Sequence, residues 1–289
     1  MQSIRYTPPP LKSAAAMWFK NLTVFRFEEA PDIEPEALES ALESNRFSPC
    51  DPQQMESLGW VAPLGEQSEQ LVHAGSGMML LTARREQRLL PATVIREAVD
   101  RKVRDIGAGE DRKLGRRRKL EIRDQLTFEM MTKAFTRSNL IQGLILPAEQ
   151  AIVVDAASRK RAEEWISLLR DSLGSLPVAP PAFTHALPDT FTGWVSGKTS
   201  LPQGVLPGDE CVLASPDREG AVVRCRRVDL SGGDVTTHID AGMQVTRLSL
   251  EWQERLSLIL NEEGDIRRLQ FSDTVVEQAE AEGVEDAAA

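Results

Sequence analysis

The sequence has little of what metal-binding and catalytic proteins usually display. Its 289 residues include three cysteines, Cys50, Cys211 and Cys225, far apart and odd in number. None forms a C-x-x-C pair, so neither a disulfide framework nor a zinc site is expected, and a reducing cytoplasm is the default compartment. His73, His185 and His238 are equally scattered and read as packed or surface side chains. A glycine-rich phosphate loop, H-E-x-x-H and G-x-S-x-G are all missing, so no cofactor, no metal and no catalytic residue is expected. No apolar run approaches the roughly 20 residues that cross a bilayer. Residues 1–16 also lack the apolar core of a secretion signal. What remains is a soluble, non-enzymatic protein away from membranes, with hydrophobic content of 41% and length enough for two or three subdomains.

Positive charge is scarce overall, at 34 Lys and Arg against 44 Asp and Glu, a formal net charge of −10. One stretch reverses that sign. From Arg112 to Arg123 the chain holds Arg112, Lys113, Arg116, Arg117, Arg118, Lys119 and Arg123 against the single acid Glu121. Arg96, Arg101, Lys102 and Arg104 precede it, and Lys133 and Arg137 follow. A cationic segment on an acidic protein points to a polyanion held through its phosphates, without base reading. A solvated helical face would give the same run of charge. The extent of the bias over several turns favours the first reading.

Taken in order, residues 18–27 read as a buried strand and residues 35–44 as a helix entered through Pro35. Gly59 to Gly65 forms a short apolar strand or loop anchored by Trp60. Residues 70–74 and 78–84 form a hairpin through Gly75-Ser76-Gly77. A helix spans residues 91–106, and the basic helix spans residues 116–135 with Leu120, Leu126 and Met130 among its apolar positions. Two long helices joined by glycines make a projecting arm, closed by Phe135. Strands follow at 139–146 and 151–155, then an amphipathic helix from Ser158 to Leu173 ended by Gly174. Residues 176–181 read as an extended linker, and a loop-rich interval contains Trp194. Strands recur at 210–214 and 221–228, with a short helix at 235–241. Strands at 243–252, 255–260 and 265–271 close the pattern. The order is α+β, with mixed, mainly antiparallel sheets. Arg224, Arg226 and Arg227 share one strand, with Arg224 and Arg226 on one face and Arg227 on the other. They either guard an edge against aggregation or form a second phosphate-facing site.

Five segments in register resemble the bacterial recombination-associated RdgC family: Met17-Trp-Phe-Lys-Asn-Leu, Phe47-Ser-Pro-Cys50, Gly59-Trp60-Val61-Ala62-Pro63-Leu64-Gly65, Leu173-Gly174-Ser175-Leu176-Pro177-Val178 and Thr237-His238-Ile239-Asp240-Ala241-Gly242. The resemblance implies a nucleoid-associated, cytoplasmic protein that binds double-stranded DNA with little sequence preference and restrains the RecA recombinase. It also implies a horseshoe-shaped subunit and a homodimer closed into a ring by two interfaces. The expected regions are a disordered extension (1–16), a central α+β region (17–90 and 139–180), a helical tip arm (91–138), a β-rich base (181–273) and a frayed acidic tail (274–289). Phe135 corresponds to an aromatic near the tip contact of the ring. Residues 1–16 precede the family's usual start, and the family commonly continues further with an apolar C-terminal helix. Two other readings remain open: a metal-dependent DNA-processing enzyme, which would need Asp and Glu clustered for metal ions, whereas the acids near the arm, Asp100, Asp105, Glu110 and Asp111, read better as helix salt-bridge partners; and a protein-interaction module without DNA binding.

Overall fold

The structure, a computed structural model, describes residues 18–65, 68–107, 115–217 and 220–288. The expected extension at 1–16, the arm cations Arg112 and Lys113, and the acids Glu110 and Asp111 lie outside the described residues.

The strands are β1 (Leu22–Phe27), β2 (Glu56–Val61), β3 (Val72–Gly75), β4 (Met78–Arg88), β5 (Thr136–Leu146), β6 (Ala151–Asp155), β7 (Val178–Ala179), β8 (Val205–Ala214), β9 (Val222–Arg226), β10 (Gln244–Trp252), β11 (Leu256–Asn261) and β12 (Ile266–Phe271). The helices are α1 (Pro35–Leu42), α2 (Ala92–Gly107), α3 (Arg116–Met131), α4 (Arg159–Leu173), α5 (Leu187–Val195), α6 (Gly233–Asp240) and α7 (Asp273–Ala288). The fold class is α+β, but the expected plural sheets are one. Twelve strands join in the order β2-β4-β5-β6-β1-β12-β11-β10-β8-β9, with β3 on β4 and β7 on β1. Among the described residues every pair of these strands is antiparallel.

Two cores form on this sheet. In the β2-to-β1 half, alternate residues Met79, Leu81, Ala83, Ile141, Ile145, Ile152, Val154, Phe25 and Phe27 are buried against Leu38 and Leu42 of α1 and Trp165, Ile166 and Leu169 of α4. Gly143 belongs to this face. A Cβ there would meet the Trp165 ring at 2.5 Å, so the missing side chain is what lets the indole lie on the strand. In the β12-to-β9 half, Cys211, Leu213, Val245, Leu248 and Leu250 pack against Phe191 and Val195 of α5 and Val235 and Ile239 of α6.

The register at the join shows how the cores are related. Residues directly opposed across a ladder share a face. Leu22 faces away from Phe25 and α4, and it opposes Ile266. Ile266 opposes Leu260, which opposes Leu248 beneath α5 and α6. The two helical layers therefore lie on opposite faces of the sheet.

Three local expectations are corrected. The basic helix stops at Met131, four residues before Phe135, because β5 begins at Thr136 and its pairing with Arg88 claims the backbone. The interval around Trp194 is the helix α5, opened by Pro188 in its first turn. The linker at 176–181 contains β7, which pairs with the end of β1.

Candidate nucleic-acid interface

The arm grows out of one hairpin. β4 and β5 pair along their whole length, from Met79 opposite Ile145 to Arg88 opposite Thr136. The antiparallel strands need only a short turn; instead α2 and α3 are inserted there. Arg88 ties down the root, its guanidinium donating to the carbonyls of Met131 (3.0 Å), Asp51 (3.1 Å) and Cys50 (3.3 Å).

Arg116, Arg117, Arg118, Lys119 and Arg123 are all exposed on α3. Glu121 pairs with Arg118 at 2.9 Å and Arg117 at 3.5 Å. These contacts are open to water and contribute little. Among the described residues Arg116, Lys119 and Arg123 make no ion pair. Four of these cations occupy the first turn of α3, at the positive end of the helix dipole, where acids are favoured. Helix stability alone would select the opposite sign, which argues against a merely solvated face.

The second cationic group stands on the face of the β12-to-β9 half opposite α5 and α6. Val223 and Cys225 pack into the core beneath β9, so Arg224 and Arg226 point away from it and are exposed. Register adds two arginines that sequence reasoning missed. Arg247 opposes Val212, and Val212 opposes Arg224, which sets Arg247 and Arg224 in one row across three strands. Glu210 opposes Arg226 and receives the guanidinium of Arg268 at 3.3 Å through Oε1, with a second contact to Oε2. Arg226 reaches the same carboxylate at 4.0 Å. The Arg268 hydrogen bonds hold the Glu210 carboxyl below its ordinary 4.5, with Arg226 and Arg227 adding to the pull. Arg247 alternates with the buried Leu248 and Leu250 along β10, and only the register brings it beside Arg224.

The placement of Arg227 is corrected. β9 ends at Arg226, and Arg227 turns with φ 55°. It leaves the strand instead of pointing to its opposite face, and its charge still reaches Glu210.

Phe135 is 71% exposed, and its carbonyl accepts from the Leu89 amide at 2.8 Å. It therefore stands at the root of the arm, where α3 returns to the sheet. Leu120, expected on the packed stripe, is 54% exposed. Ile122 takes the buried place, and Leu89, Val94 and Phe128 are also bare. Such a set of exposed apolar side chains suits contact with another protein surface. Among the described residues no three His, Cys, Asp or Glu side chains group so as to hold a metal ion, and no helix is long and apolar enough to cross a membrane.

Comparison with known proteins bears on this geometry. A family model described as "Putative exonuclease, RdgC" matches residues 17–289. The chain is 39% identical over 270 residues to the recombination-associated protein RdgC of Yersinia enterocolitica, covering 93% of this chain and 89% of that one. It is 39% identical over 264 residues to the protein of the same description from Yersinia pestis strain Pestoides F, covering 91% and 87%.

Proposed function

The chain belongs to the RdgC family, and from that premise we propose that it is a non-catalytic protein that binds double-stranded DNA largely without regard to sequence. In this reading it acts as a homodimeric ring around the duplex, is nucleoid-associated in the cytoplasm, and restrains RecA-dependent recombination at sites such as damaged replication forks. Its division into central, tip and base regions belongs to the same proposal. The observation that supports it best is the pair of exposed cationic groups on an acidic chain: Arg116, Arg117, Arg118, Lys119 and Arg123 on the arm, and Arg224 and Arg226 with Arg247 and Arg268 on the sheet face opposite α5 and α6. Arg112, Lys113 and Arg227 extend the two groups in sequence. Neither is arranged like a base-reading module, and both suit phosphate contacts. In this reading Phe135, with the exposed Leu89 bonded to its carbonyl, supplies one of the two contacts between subunits.

Binding to several duplexes of equal length across a salt series tests this. Affinity should be nearly the same for all and fall steeply with salt, with a log–log slope of about −0.9 for each phosphate neutralised. A marked preference for one duplex would overturn sequence independence. An absence of affinity at moderate salt would favour the protein-interaction reading. The description of the family model favours testing a second reading, a metal-dependent exonuclease. Linear duplex incubated with magnesium or manganese should stay intact; progressive shortening from its ends would replace the non-catalytic reading.

A further inference from the structure

Two cysteines that the sequence separates are brought together by the fold. Cys211 on β8 directly opposes Cys225 on β9, and both side chains belong to the core face beneath α5 and α6. Directly opposed residues of an antiparallel pair have their Cα atoms about 4.5–5.5 Å apart, inside the roughly 4.4–6.8 Å that a disulfide spans. Both are free thiols here, Cys211 buried and Cys225 half-buried. β9 is the last strand of the sheet and has β8 as its only partner among the described strands, so it can close the small remaining gap without breaking another ladder. We propose that Cys211 and Cys225 form a reversible redox pair, converted by hydrogen peroxide into a cross-strand disulfide that pins the edge strand carrying Arg224 and Arg226.

The two thiols differ in access. Burial, with a hydrogen bond and the charge of the neighbouring Cys225, pushes the Cys211 thiol up to about 12. Cys211 therefore stays protonated at neutral pH and is a poor first nucleophile. Cys225 is the one that peroxide reaches. Its sulfur attacks one peroxide oxygen, the O–O bond breaks, and water leaves as the sulfenic acid forms. The Cys211 sulfur then attacks the Cys225 sulfur. The S–S bond forms, the S–O bond breaks, and hydroxide departs with the Cys211 proton as a second water. Two thiols lose two electrons and one peroxide gains them. A thiol-reducing agent reverses the step by exchange. Cys50 lies in the loop before β2, hydrogen-bonded to Glu86 of β4 in the other half of the molecule, and serves as an internal control. In a reducing compartment such a bond would be transient, as expected of a sensor.

The test is thiol titration and non-reducing peptide mapping of the full chain after brief exposure to hydrogen peroxide under native conditions. The expected result is loss of two hydrogen masses, a fragment joining Cys211 to Cys225, Cys50 alone still titratable, and full recovery with dithiothreitol. Cys50→Ser should give the same link, and Cys225→Ser should leave Cys211 unreactive until the protein is unfolded. Oxidation of Cys225 to sulfinic acid with no link, or disulfides formed only between chains, would overturn the proposal. So would a pair of thiols that outlasts Cys50 under the same peroxide.

Discussion

At the scale of single residues, what matters is less the type of side chain than what stands opposite it. Glu210 is the acid set among the sheet-face arginines, and its carboxylate is occupied by Arg268 and Arg226. Because its folded pKa is lowered, its stabilising contribution is present above the ordinary 4.5 and is lost as pH falls through the lowered value. In the proposed binding mode that same charge opposes phosphate. Glu210→Gln should therefore bind duplex more tightly and steepen the salt slope by about 0.9, one phosphate's worth, at a small loss in thermal stability; fluorescence anisotropy and a melting curve check both. Gly143 makes a separate claim, about packing alone. Gly143→Ala places a methyl 2.5 Å from Trp165, in a core with no slack, and should cost about 1–3 kcal/mol in denaturant unfolding, with DNA binding unchanged where the protein remains folded.

Elements show which features a sequence can announce. Ser158-to-Leu173 was legible as α4 because its apolar spacing and the left-handed Gly174 (φ 76°) mark stripe and end together, and β10 was legible from alternation. α5 was hidden, since Pro188, Gly193 and two threonines within nine residues read as loop; the Phe191 and Val195 that bury it declare themselves only through tertiary packing. Periodicity fixes which face a side chain takes but leaves register open, so Arg224 was visible as outward-facing while its neighbour Arg247 was not. The same limit hid the Cys211–Cys225 pair and the join of β1 to β12 from opposite ends of the chain. The arm needed no register, and its cationic run was plain from the start. Replacing Arg116, Arg117, Arg118 and Lys119 together by glutamine should weaken binding to every duplex alike and flatten the salt slope by up to about 3.6, with circular dichroism unchanged or slightly more helical as the clash with the helix dipole is relieved. Unchanged affinity in a folded variant would return the cluster to a solvated face.

For the whole molecule, the join between the two halves governs how the cationic groups are presented. Leu22 opposite Ile266 is the only register pair between β1 and β12, yet charge braces it. Asp265, 1% exposed, receives Arg159 of α4 at 2.8 Å and Arg267 at 2.9 Å, and Arg267 also donates to the Ala156 carbonyl at 2.7 Å. This bracing ties the two halves together across the thin ladder, and in the proposed ring it sets the spacing between the arm and the exposed face of β9. A fixed subunit that meets its twin at two separate patches closes a ring, since each two-fold contact satisfies itself. In the proposed ring one contact has to open to admit closed circular DNA. Phe135 is the candidate for that contact, because an exposed aromatic at the root of the arm adds apolar contact without burying enough area to lock the ring. Phe135→Ala should leave a dimer held by the other contact and loosen its hold on DNA, read as faster salt-induced release from a circle. The decisive comparison uses the unaltered protein, loaded on circular duplex and challenged with raised salt before and after the circle is cut. Retention on the circle with loss on cutting supports a closed ring, because only a threaded protein depends on the continuity of the duplex. Equal loss from both forms would leave phosphate contacts as the whole of the grip and reduce encirclement to docking on one side.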